Sequence, residues 1–303
     1  MFENKQFLKF IENCKREKLD IVGTSVIYTL GSTYAKAGNM MLVNSKGEFT
    51  GVLGSKFLQN KILELSKEIL ARKKETLERN KSEYFESIPQ DESSGHGNSK
   101  YFAQAFFFDE NYTALGIALE NFGKTLIRDI KTNSFEIIDE KCDIKFEDNK
   151  FYQTIKKPYS ILVFGSGAHV TSLISMAKLM GWQTTIIDMK INEQYVTDAD
   201  NLIELINLED ILSMNLSSYD AAVILSHSPK TDDTYLKALI NSQIQYIGVM
   251  GNKKSMQRKT EQFNLENDKR FFAPIGLPIG GNTNQAIALS ICAQLEAHKN
   301  GKI

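Results

Sequence analysis

In "VFGSGAHVTSLISMAKLMGWQTTIIDMK", residues 163 to 190, Gly165 and Gly167 stand between an apolar run and a helical pattern. They fill the first two places of a dinucleotide-binding turn: the first glycine makes the tight bend and the second lets main chain approach a pyrophosphate. Val170 takes the third place, where a glycine would let the helix pack closely on the strand. Ser166, Ala168 and His169 complete the turn. A helix opening near His169 would present unpaired N–H groups and its positive dipole end, worth roughly 0.3 to 1 kcal/mol to a nearby anion. Asp188 closes the next apolar run at the distance where a carboxylate binds a ribose hydroxyl. This stretch predicts a seat for a phosphate-bearing ligand.

Two other stretches are expected to face the same crevice, since open parallel sheets bind ligands outside the carboxyl ends of their strands. "VILSHSP" ends one strand with Ser226 and His227, and "YIGVMGNKKSMQRK" ends another with Gly248, Gly251, Asn252 and Lys253. His227 is the candidate general acid or base, or a donor to phosphate; a strand-capping ring bonded to backbone explains it equally well. Lys253, Lys254, Arg258 and Lys259 follow a glycine and suit phosphate neutralisation, although a solvated helix face accounts for them nearly as well. No order of Ser, His and Asp suggests a nucleophilic triad. His96, in "SSGHGNS", reads as a loop residue with no partner at metal-ligand spacing, and no metal site is expected.

Positioning such a turn requires a parallel sheet. From Tyr159 onward short apolar strands alternate with amphipathic helices, which predicts an α/β Rossmann-like, doubly wound sheet covered on both faces. Before it, "DIVGTSVIYTLGS", "NMMLVNSKGEFTGVLG", "YFAQAFFFDE", "GKTLIRDI" and "SFEIIDE" have strand character, giving a smaller N-terminal α+β domain. Residues 57 to 87 read as one long helix with Leu58, Ile62, Leu65 and Ile69 on a stripe, and "IPQDESSGHGNSK" as an exposed loop. "KCDIKFEDNKFYQTIKKP" reads as a polar connection, and the domains are placed at 1–155 and 156–303. Asn282 with Gln285 predicts a capping box opening the last helix.

Composition narrows the partners. With 36 Lys and Arg against 37 Asp and Glu, no overall field would recruit nucleic acid or an anionic membrane, so neither is an expected partner. Cys14, Cys142 and Cys292 lack CxxC spacing, and no apolar run reaches the roughly 20 residues of a membrane span. A cytoplasmic protein is the expectation, with a homodimer left open.

"TLGSTYAKAGNMMLV", "FGSGAHVTSLISMAKLMGWQTTIID", "ILSHSPKTDDTYLKALI", "YIGVMGNKK" and "PIGLPIGGNTNQAIALSI", in this order, resemble the xanthine dehydrogenase accessory proteins of the XdhC and CoxI type. The resemblance implies a carrier that holds molybdenum cofactor (molybdopterin), supports its sulfuration with a cysteine desulfurase, and passes it to a molybdenum hydroxylase such as xanthine dehydrogenase. Gly165, Gly167, Asp188, Ser226, His227, Gly248 and Gly251 match the family's Rossmann motifs, and Gly31, Ser32 and Gly38 its N-terminal signature. The chain departs from the family in "GSKFLQ", with Phe57 where the family has a cysteine and Gln59 where it has an acid, and in "SGHGNSK", where a Gly-Cys-Gly element is usual. Phe cannot supply a thiolate for sulfur transfer. The competing readings are an NAD(P)-binding oxidoreductase using Gly165, Gly167 and Asp188, and a cofactor-free regulatory paralogue.

Overall fold

The computed structural model describes residues 1–72, 79, 81–87, 97–226 and 228–303. The chain divides into two compact units, Met1–Lys157 and Pro158–Ile303.

In the first unit, α1 (Lys5–Glu17) starts where the Asn4 side chain accepts from the Gln6 N–H and stops where Lys18 turns left-handed, φ 57°. Strands β1 (Ile21–Leu30), β2 (Met40–Asn44) and β3 (Phe49–Thr50) follow, then α2 (Lys56–Leu70), β4 (Glu83–Ser87) and β5 (Asn98–Phe106). These strands form an antiparallel sheet in the order β3-β2-β1-β5-β4. After α3 (Thr113–Ala118) come β6 (Thr125–Asp129), β7 (Phe135–Ile138), β8 (Lys145–Glu147) and β9 (Lys150–Thr154), a second antiparallel sheet ordered β7-β6-β9-β8. Alternation sorts the side chains of β1: Val22 and Val26 pack toward residues of α2, whereas Ile27 packs with Phe102 and Phe151 on the other face.

The second unit contains β10 (Ser160–Phe164), α4 (Thr171–Leu179), β11 (Gln183–Asp188), β12 (Asn201–Glu204), β13 (Ala221–Ile224), α5 (Pro229–Ile240), β14 (Tyr246–Val249), α6 (Lys253–Phe263), β15 (Phe271–Phe272) and α7 (Asn284–Lys299). Its six strands are parallel throughout, in the order β12-β11-β10-β13-β14-β15. The strands are buried on both faces, so their sequences are unbroken apolar runs rather than alternating ones. Leu173, Ile174 and Ala177 of α4 and Ile291 and Leu295 of α7 cover Ile161, Val163 and Val223 on one face. Tyr235, Leu236 and Leu239 of α5 and Met256 of α6 cover Leu162, Phe164 and Ile224 on the other. Each such buried side chain contributes roughly 1.5 to 3 kcal/mol through removal from water. Trp182, 1% exposed, stands edge-on to Tyr159 at 5.3 Å between ring centres. This is the doubly wound Rossmann architecture expected from the sequence, and the antiparallel sheets belong to the first unit.

Four local expectations fail for identifiable reasons. The helix predicted over residues 57 to 87 ends at Leu70; Glu83–Ser87 is a strand because Tyr84 and Phe85 find partners across from Phe102 and Tyr101 on β5. Residues 73–78 and 80 of that prediction lie outside the described residues, as do 88–96 of the predicted loop, whose last residues Asn98, Ser99 and Lys100 belong to β5. The polar connection before residue 155 is strand: Phe151 faces inward while Lys150 and Tyr152 do not, so a half-buried pleat hides behind a charged composition. The last helix is capped by Thr283, whose hydroxyl accepts from the Ala286 N–H, rather than by Asn282 with Gln285.

Candidate functional site

The glycine turn lies at the carboxyl end of β10, the central strand at which chain direction across the sheet switches. Gly165 has φ +109°, and a Cβ there would fall 3.0 Å from the Leu225 carbonyl oxygen and 3.0 Å from Ser226 Cα. The first glycine therefore serves both functions expected of it, a bend closed to other residues and a close approach, here to the neighbouring strand end.

Gly167 has ordinary backbone angles, φ −75° and ψ 166°. Its special feature is what fills the space beside it: a Cβ would lie 2.7 Å from the His169 ring. His169 folds back over Gly167, and its Nε2–H donates to the Leu225 carbonyl at 2.8 Å. Because a carbonyl only accepts, Nε2 carries a hydrogen. The main chain at Gly167 thus meets an imidazole of its own chain, so a phosphate reaching it would do so beside or in place of that ring. Ala168 is exposed, and a short 3-10 turn, Ala168–Val170, precedes α4.

On the other side of the turn, Ser166 is 4% exposed and its hydroxyl donates to Asp188 Oδ2 at 2.8 Å. The same hydroxyl oxygen accepts from the Asn192 N–H at 3.1 Å, while Asp188 Oδ1 accepts from the Met189 N–H at 2.8 Å. Both oxygens of the carboxylate expected to bind ribose already hold the chain's own donors. Burial, with the Asp188 and Asp232 carboxylates as lesser causes, pushes the Tyr235 phenol up to about 12.

Ser226 donates a very short hydrogen bond to Asp232 and lies 3.2 Å from Thr231 Oγ1. His227, the candidate catalytic residue, lies outside the described residues. Ile275 occupies the space beside Gly248, Met256 sits 2.5 Å from where a Cβ of Gly251 would be, and the Asn252 side chain caps α6 by accepting from Ser255 N–H at 2.9 Å. Lys253 and Lys254 are exposed on the first turn of α6, but Arg258 pairs with Asp233 at 3.2 Å and Lys259, 1% exposed, is held by Asp233 and Asp232. Two of the four cations expected to neutralise phosphate are therefore committed.

A cleft of about 220 Å³ opens where the turn meets α7, lined by His169, Leu173, Leu225, Met250, Asn284, Ile287, Ala288 and Ile291. Its walls are apolar, with the imidazole and the Asn284 amide as polar groups. That combination suits a flat ring with a hydrogen-bonding edge. Sequence reasoning placed the turn but missed Met250 and Asn284; the signal was the spacing of Asn284, Ile287 and Ile291, which share one face of α7. In the first unit a depression lined by Lys18, Asp20, Arg72, Arg79 and Asp109 is polar, and its guanidinium groups are engaged: Arg72 with Glu83, Arg79 with Asp109 at 2.7 Å and Glu110 at 3.1 Å.

No thiol among the described residues lines the cleft. Cys14 and Cys292 are buried; burial raises the Cys14 thiol and pushes that of Cys292 up to about 12. At pH 8 both stay protonated in the folded protein, so a thiol-specific reagent should modify half-buried Cys142 first, with Cys14 and Cys292 reacting only on unfolding; prompt labelling of Cys292 would contradict this burial. Among the described residues, no cluster of His, Cys, Asp and Glu suits a metal ion, and no helix is long and apolar enough to cross a membrane.

Residues 161–295 match the family model of the XdhC Rossmann domain, and residues 15–80 that of the XdhC and CoxI family. A Bacillus subtilis (strain 168) protein described as a probable component of xanthine dehydrogenase is 26% identical over 152 residues, 48% of this chain. That stretch spans 45%, somewhat under half, of the relative's own length. A solved structure from Bacillus halodurans, described as a xanthine dehydrogenase, matches 100% of this chain and 97% of its own with a TM-score of 0.80. At 19% identity this likeness establishes a common fold.

Proposed function

The chain belongs to the XdhC and CoxI family, and from that premise we propose that it is an accessory protein that carries molybdenum cofactor for a molybdenum hydroxylase of the xanthine dehydrogenase kind. The observation that carries this reading is the cleft beside the glycine turn: apolar on its walls and polar at Asn284 and at His169, whose ring packs over Gly167. Molybdopterin is a flat, polar-edged ring system bearing a phosphate, and it is the cargo here. Leu173, Met250, Ile287 and Ile291 would hold the ring faces, Asn284 its edge, and the turn at Gly165 to Gly167 its phosphate. The metal travels on the cargo's own sulfur atoms, so holding and delivering it asks for no thiol from the cleft.

Delivery is the role proposed for this chain, and the sulfur transfer that the family resemblance attaches to a cysteine desulfurase is left to other proteins, since Phe57 replaces the thiol and is 80% exposed. The nicotinamide alternative is weaker, because Asp188 is engaged by Ser166 and Met189 rather than presented to a ribose.

The test is to express the full chain in a host that makes molybdenum cofactor, denature it and identify the released small molecule by mass spectrometry. A pterin, or its oxidised fluorescent product, is expected. Gly167→Asp should lower retention at least about tenfold, equivalent to about 1.4 kcal/mol, because its side chain collides with the His169 ring and enters the phosphate seat. Nicotinamide nucleotide in place of pterin, or equal retention by the variant, would overturn the proposal.

A further inference from the structure

Arg128, on β6, is 1% exposed, one of the largest fully buried side chains of the protein. Its Nη2–H donates to Ser25 Oγ at 2.7 Å, a neutral acceptor. Nε and Nη1, which lie on opposite edges of the guanidinium, have no hydrogen-bond partner. The carbon at its centre stands over the rings of Phe102 at 5.5 Å and Phe151 at 5.4 Å. Ring faces offset part of the charge, but arginine is ordinarily buried only with an anion. Among the described residues no carboxylate pairs with it, and burial alone pulls the group down to about 10.

The surroundings are built for more than one hydrogen bond. On β9, Phe151 lies opposite Arg128 and Gln153 opposite Leu126, so Arg128 and Gln153 share a face. On β1 and β5, Ser25 opposite Phe102 and Gly23 opposite Gln104 share another. Gln104 Oε1 and Gln153 Oε1 are also buried without partners. Gln153 Nε2–H donates to the Gly38 carbonyl at 2.6 Å, which ties this row to the base of the loop that carries the N-terminal signature. That base is fixed by Val26 N–H to the Asn39 carbonyl and Gly38 N–H to the Val26 carbonyl, each at 2.8 Å.

We propose that Arg128 anchors a second ligand site, in the first unit, for the oxyanion of a small molecule: a carboxylate or phosphoryl group admitted past the loop of residues 31 to 38. The anion neutralises the guanidinium and takes one of its open edges, while the glutamine side chains bond the ligand's donors or ordered water. Internal water alone would satisfy the glutamine oxygens but would leave the charge uncompensated. The inference depends only on this unit and stands or falls apart from cofactor binding in the other.

Methylphosphonate and malonate are the probes, each titrated into the full chain, dialysed against chloride, at constant ionic strength. Calorimetry should show a melting temperature that rises with the logarithm of the concentration of one probe, and which probe succeeds tells phosphoryl from carboxylate. Arg128→Met, a side chain that fits between two phenylalanine rings, should abolish the response. Arg128→Lys, which keeps the charge and loses the planar fork, should weaken it about tenfold. In the parent, nuclear Overhauser contacts should link probe protons to the rings of Phe102 and Phe151, a readout that survives even if a variant fails to fold. No saturable response to either probe, an unchanged response in a folded Arg128→Met, or no ring contacts at saturation would overturn the site.

Discussion

Gly165→Ala should destabilise the second unit by about 2 to 3 kcal/mol and abolish cargo retention. The φ of +109° disfavours any side chain, and the new methyl would press on Leu225 and Ser226 main chain at 3.0 Å, atoms that belong to a strand end and cannot swing away. For a unit of this size the loss lowers the melting temperature by roughly 5 to 10 °C, measurable by calorimetry. Gly167→Ala is the control: its backbone is ordinary, and the obstructing atoms are the end of the His169 side chain, which can rotate aside. It should melt within about 1 kcal/mol of the parent. Equal melting of the two variants would mean that the turn does not have the geometry described.

Lys259→Ala should cost about 3 to 5 kcal/mol, the usual consequence of removing one partner from a buried ion pair. The Lys259 side chain is 1% exposed and bridges Asp233, in a very short contact, and Asp232 at 3.6 Å. Without it, Asp232, 7% exposed, keeps, among the described residues, the hydrogen bond from Ser226 to support its charge, whereas Asp233 retains Arg258. Lys259→Met combined with Asp232→Asn should recover most of the loss, since neutral groups of similar shape need no counter-ion. The effect should change little between low and high salt, as expected of charges shielded from solvent ions. If Lys259 instead served to grip phosphate, the single variant would lose cargo and keep its stability; that outcome would refute the structural role.

Patterns with a strong period were readable from the sequence. The strands of the second unit are unbroken apolar runs because both faces are covered, and the glycine turn is marked by a backbone need that few other residues meet. Tertiary pairing was not readable: Tyr84 and Phe85 sit in a charged stretch with helical spacing, and only their partners on β5 make them strand. The site was legible in part for the same reason. Gly165 could be placed from local geometry, whereas the commitments of Asp188 to Ser166, of Asn252 to its helix cap and of Lys259 to Asp232 and Asp233 are fixed by neighbours remote in sequence or by side-chain direction. Residue type announces what an ionisable group can do; which partner reaches it first decides what it does.

Trp182 is the chain's single tryptophan, and it is sealed beneath α4 in the second unit with Tyr159 at its edge. Its fluorescence is therefore a private channel to one half of the molecule: the emission red shift on denaturation reports that half alone, and calorimetry of the whole chain, minus that signal, isolates the other. Damage at Gly165 or Lys259 will move this emission, whereas an event confined to Arg128 will leave it dark.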